Sequence, residues 1–159
     1  MIPDLTNDSA WATAFAAIDR AFTGAPRPEH FTGHSHCCEC SETDIFFQAH
    51  TPETFAALTD PLETLPVAFL TEEAFAYLAP GILRYLPRTG EHYNAGDVLF
   101  HLEDRWLTFT SAQQTALRDL LYLTYERLAS EIEATPFDQH TMTRILNGLD
   151  RVTQPDATS

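Results

Sequence analysis

Positive charge is scarce in this chain. Only nine of its 159 residues are Lys or Arg, against 23 Asp or Glu, for a net charge of -14 at neutral pH. Nucleic-acid phosphates and anionic membranes are both held by clustered Lys and Arg, so neither is an expected partner. Long apolar runs are missing too: no stretch approaches the roughly 18–20 residues that span a bilayer. The N-terminus, Met1-Ile2-Pro3-Asp4, has no basic start before an apolar stretch, so no secretory signal is read there and the cytosol is the expected compartment. Cysteine is sparse, and all three lie between Cys37 and Cys40, which excludes a secreted disulfide framework. Six glycines leave little for a phosphate-cradling loop.

What remains is enough for a core. Hydrophobic residues make up 44% of the chain, which has the size of one ordinary domain. A domain of that size buries roughly 68–70% of the surface its unfolded chain exposes. The periodicity is helical nearly throughout, and the expected fold is an all-α, compact single-domain bundle of about six to seven helices. Residues 1–152 form the expected domain and residues 153–159 a polar, disordered tail.

Trp11, Phe15, Ile18 and Phe22 recur at helical spacing after a possible cap at Asp8 or Ser9. Gly24, Pro26 and Pro28 then break regular structure, and residues 29–41 read as loop before a short helix over about 42–49. Thr51-Pro52-Glu53 and Thr71-Glu72-Glu73 are helix starts, with a capping hydroxyl followed by proline or by acids that suit the helix dipole. The two share the pattern T-x-E-x-F-A-x-L, which common capping grammar explains better than a repeat. Ala79-Pro80-Gly81 is expected to kink or break the second of them. Trp106 to Phe109 suggests a short extended piece. Thr110-Ser111-Ala112-Gln113 opens the longest expected helix, to about Glu133, placed at the centre of the bundle. Asp138 is the expected cap of the last helix. Trp11, Phe15, Phe22, Phe75, Leu117, Leu121, Tyr125 and Leu128 are the expected core.

One segment carries metal-binding chemistry: His30-Phe31-Thr32-Gly33-His34-Ser35-His36-Cys37-Cys38-Glu39-Cys40. A structural zinc takes four thiolate or imidazole ligands in a tetrahedron, and C-x-x-C lets two sulfurs of one turn reach one ion. Cys37 and Cys40 have that spacing, His34 and His36 add nitrogens, and Cys38 is a competing sulfur. A second C-x-x-C is absent, so any further ligand comes from a local His or from His50, His92, His101 or His140 through folding. Two other outcomes remain open: ordinary buried cysteines beside solvated histidines, or a redox pair with Cys40 near a helix start. No metalloprotease, nucleophile-elbow or phosphate-loop motif is present, and the order of His and Cys does not fit a zinc deaminase.

The order of signals resembles a bacterial family of unknown function, domain of unknown function 6714. The likeness rests on Ala21-Phe22 ending the first helix, on Cys37-Cys38-Glu39-Cys40, on Phe69-Leu70-Thr71-Glu72-Glu73-Ala74-Phe75-Ala76-Tyr77-Leu78-Ala79-Pro80, and on Phe109-Thr110-Ser111-Ala112-Gln113-Gln114. It spans most of the chain and implies no activity. Where the family reads Cys-Glu-x-Cys, Cys38 here takes the place of the acid, which leaves open which two sulfurs correspond. The functional expectation is therefore a small acidic protein that acts by binding, with a zinc-holding Cys/His loop and a basic protein as its partner. A sharper form is an immunity or inhibitor protein for a basic toxin. The rivals are a zinc-dependent enzyme and a thiol redox protein.

Overall fold

Helix α1 (Ser9–Phe22) starts where the Asp8 side chain accepts the Ala10 N–H at 3.0 Å. A computed structural model describes residues 8–33, 38–58, 67–88 and 95–154. The other helices are α2 (Cys38–Gln48), α3 (Pro52–Ala56), α4 (Glu72–Leu83), α5 (Ala95–Leu102), α6 (Ser111–Arg127), α7 (Ala129–Glu133) and α8 (Pro136–Thr153). Two short 3-10 turns cover Val67–Phe69 and Arg105–Thr108. The fold is all-α. Extended pairing among the described residues is limited to one isolated bridge, Thr32 with Leu70.

The capping signals govern the helix starts as physical chemistry requires. Thr51 and Thr110 each close a capping box, with Thr54 and Gln113 respectively, and Thr71 accepts the Ala74 N–H. α6 lies between α1 and α8, and α4 packs on α1 and α3. Leu117, Leu120 and Leu121 of α6 have no exposed surface, so this helix is the centre of the bundle. The expected core is assembled as one cluster, with Tyr125 half-buried against its edge.

Several expected boundaries differ, each for a physical reason. α2 begins at Cys38, four residues ahead of the expected start, and takes Cys38 and Cys40 out of the loop. Its apolar stripe is weak, but Glu39 suits the first turn and Thr43 donates back to the Glu39 carbonyl at 2.8 Å. α4 runs unbroken through Ala79-Pro80-Gly81. Pro80 lacks the N–H that would bond the Ala76 carbonyl, but it lies in the last turn, where little helix follows, and the Arg84 guanidinium donates to the Pro80 carbonyl at 2.8 Å. Arg105–Thr108 is a 3-10 turn, not extended. The turn closes with the Phe109 N–H on the Trp106 carbonyl at 3.2 Å, and both rings are buried.

The expected helix over 110–133 bends at Leu128, where φ is -118° and ψ is 26°. Leu128 N donates to Thr124 O and closes α6, and the ladder resumes with Ile132 N on the Leu128 carbonyl. Thr124 bonds back to Leu120 O just before, a contact that bends helices. The result makes α8, at 18 residues, longer than α6, at 17. α8 begins after Thr135 with Pro136 in its first turn, not at Asp138, which lies buried inside that turn. Thr153, placed in the expected tail, ends α8, and residues 155–159 lie outside the described residues.

Candidate functional site

The expected ligand segment is only partly described. His34, His36 and Cys37 lie outside the described residues, while Cys38 and Cys40 occupy the first turn of α2. Two positions apart on a helix are about 200° apart around its axis. Cys38 accordingly faces solvent and Cys40 is buried. One ion does not reach both sulfurs from those directions. Among the described residues, no three His, Cys, Asp or Glu side chains are gathered as a metal requires.

The chain before α2 is laid along one face of that helix. Thr32 donates its hydroxyl to the Cys40 carbonyl at 3.1 Å. One turn further along, Asp44 accepts the Phe31 N–H at 2.6 Å and meets His30 Nδ1 at 2.9 Å. Gln48, one more turn on, donates to Asp44 at 3.1 Å and to the Glu29 carbonyl at 3.2 Å. Burial works against the Asp44 carboxylate, but the Phe31 amide and His30 outweigh it and hold its carboxyl below the usual range. The same hydrogen bond raises the His30 imidazole above its ordinary value. No local sequence signal pairs His30 with Asp44. The pairing follows the helical phase of Cys40, Asp44 and Gln48, which is invisible when residues 38–41 are read as loop.

Two of the more distant histidines are engaged elsewhere among the described residues. His50 meets Thr54 Oγ1 at 3.2 Å and packs its ring, tilted by 39°, 4.6 Å from that of Phe46. His140 is exposed on α8, and His92 lies outside the described residues. His101 sits with Arg105 and Glu72 around an open cavity of about 280 Å³. Burial, with the Arg105 charge beside it, lowers the His101 pKa to about 4. Between its ordinary value of 6.5 and about 4, the unfolded chain binds a proton on this imidazole and the folded chain does not. His101 therefore contributes stability above that window and loses it as the pH falls through it. In denaturant titrations between pH 7 and 4, His101→Gln is expected to flatten the acid-side loss of stability. A variant that follows the wild-type pH slope throughout would contradict the assignment.

Charge is distributed less evenly than composition suggests. All nine basic residues are arginines, and most are cross-links of the fold. Arg27 donates to the His50 and Gln48 carbonyls and to Tyr77, Arg88 to the Ala56 and Leu58 carbonyls, and Arg105 to the Ala68 and Leu70 carbonyls. Arg84 grips Asp19 with both terminal nitrogens, at 2.9 and 2.7 Å. Arg118 pairs with Asp150 at 2.6 Å, Arg127 with Asp8 at 3.6 Å and Arg144 with Glu103 at 2.7 Å. The guanidinium groups of Arg27, Arg88 and Arg105 keep their charge but form no close ion pair with a carboxylate among the described residues. Glu39, Glu42, Glu53, Glu73, Glu126, Glu131 and Glu133 are exposed and form no ion pair among the described residues.

No known protein family, curated protein or solved structure matches the chain. No helix among the described residues is long and apolar enough to cross a membrane.

Proposed function

We propose that this protein acts in the cytosol by binding a basic protein partner through its carboxylate-rich surface. The observation that carries this reading is the internal use of the arginines. Arg27, Arg88 and Arg105 donate to backbone carbonyls and pair with none of the exposed glutamates, so on a chain of net charge -14 those carboxylates are left for a partner to pair with. Opposite charge on the partner would speed encounter and set register. An inhibitor or immunity protein covering the basic cleft of a toxin is the specific form that this chemistry fits. In-cell cross-linking and mass spectrometry with the full chain test it. The expected partner is strongly basic, with a pI above about 9 as in phosphate-binding clefts, and the purified complex weakens steeply with ionic strength. An acidic partner, or a complex indifferent to salt, would overturn the proposal.

Within that reading, the segment before α2 holds one structural zinc on Cys37 and Cys40 with His34 or His36. Its support is the C-x-x-C spacing, together with the inward direction of Cys40 and the outward direction of Cys38. Protein purified without an affinity tag, with thiols kept reduced, is expected to retain about one zinc per chain, as one tetrahedral site requires. Cys40→Ser should abolish retention and Cys38→Ser should change it little. Loss of the ion should loosen residues 30–41 without melting the bundle, because α1, α4, α6 and α8 have their own core. Metal-free protein after zinc loading and dialysis, with all thiols reactive, would refute the site. A Cys37–Cys40 disulfide would replace it with redox chemistry.

A further inference from the structure

One walled place on the acidic surface is built from aromatic rings. Between the second half of α6 and α8 lies an open pocket of about 380 Å³ lined by Tyr122, Tyr125, Glu126 and Leu146. The α6 residues share one helix face, since they stand three and four positions apart. Both tyrosine rings are held by their hydroxyls. Tyr122 donates to Asp150 Oδ2 at 2.5 Å and Tyr125 to Glu133 Oε1 at 3.3 Å. The aromatic walls are therefore oriented in advance, and each ends on a carboxylate. Glu126 is exposed and forms no ion pair among the described residues. Arg118 lies 5.3 Å from the Tyr122 ring, but its charge is met by Asp150 and Asp119.

We infer that this pocket seats a cationic side chain, arginine or lysine, from a basic segment of the partner. The inference rests on the basic-partner reading above and gives it an address. The aliphatic stem of either residue packs on Leu146 and the tyrosine rings while its charged head reaches Glu126. Aromatic faces attract cations within about 6 Å of their centroids, and the Arg118–Tyr122 contact is an instance of that geometry in this molecule. Two other cavities fit a cation less well. The groove of about 470 Å³ beside Trp106 carries Arg144 and Arg151 with Glu103 and Asp104, so its charges already balance. The cavity beside His101 already contains the Arg105 guanidinium.

The test is a heteronuclear NMR titration of the isotope-labelled full chain with a blocked tetra-arginine peptide at low ionic strength. Shifts are expected to concentrate on the amides of residues 122–126 and 146–150. Glu126→Gln and Tyr125→Ala should each weaken binding by about tenfold, which is the scale of one interface anchor. Tyr125→Phe, which keeps the ring but releases it from Glu133, should bind between the wild type and Tyr125→Ala. Binding unchanged in both Glu126→Gln and Tyr125→Ala would overturn the pocket while leaving the basic-partner reading in place. Equal binding of tetra-citrulline, the uncharged analogue, would also overturn the pocket, since it would make the site an apolar one. A concentration-dependent dimer that Tyr125→Ala dissolves would assign the face to a second copy and overturn it as well. Peptide that fails to bind anywhere would overturn both readings.

Discussion

Leu121→Ala is expected to cost the fold about 2–5 kcal/mol, as deletion of a well-packed core leucine does. Leu121 has no exposed surface and sits on the helix that α1 and α8 both pack against. A cavity there has rigid neighbours on two sides, so collapse recovers little. Leu117 and Leu120, equally buried, hold the same face of α6 and restrict relaxation further. Denaturant unfolding should show a lower midpoint with an unchanged slope. A loss under about 1 kcal/mol, below the range for such cavities, would mean that α6 does not organise the core.

Gly81→Ala should destabilise the protein although alanine is the better helix former. Replacing a mid-helix glycine by alanine ordinarily gains about 0.5–1 kcal/mol. In α4, however, a β-carbon on residue 81 would lie 2.3 Å from the Pro52 carbonyl oxygen and 3.1 Å from its carbonyl carbon. The obstacle is backbone at the start of α3, which cannot swing aside as a flexible side chain does. Overpacking typically costs about 1–3 kcal/mol, and a rigid backbone neighbour belongs at the upper end, so a net loss of about 1–2 kcal/mol is expected. In a chain of this length that corresponds to a fall in Tm of several degrees, at about 2–4 °C per kcal/mol. A rise in Tm would show that α3 and α4 do not approach this closely.

Gly81 also shows why part of the fold was unreadable in advance. As a sequence, Ala79-Pro80-Gly81 is a helix breaker by every local rule. Pro80 and Gly81 are instead buried residues of a continuous helix, and glycine is there because another helix comes within touching distance. Gly148 has the same origin, since its missing β-carbon would stand 2.5 Å from the Trp106 ring. Local propensity carries no information about such approaches, because the neighbour is far away along the chain. Thr51, Thr71 and Thr110 were legible for the opposite reason: a cap and the N–H it satisfies lie within three residues of one another.

The candidate site divides along the same line. The spacing of Cys37 and Cys40 and the excess of carboxylates are properties of the sequence, and so is the all-α class, because 3.6-residue periodicity and capping are local. Tertiary structure decided that Cys38 and Cys40 face opposite ways and that His30 is held by Asp44 one turn beyond Cys40. It also decided that the arginines are spent on carbonyls and partners up to 65 positions away. Composition counts charges, but only folding determines which of them are neutralised. The field a partner meets is the remainder, and it depends on distances that the linear order of residues does not contain.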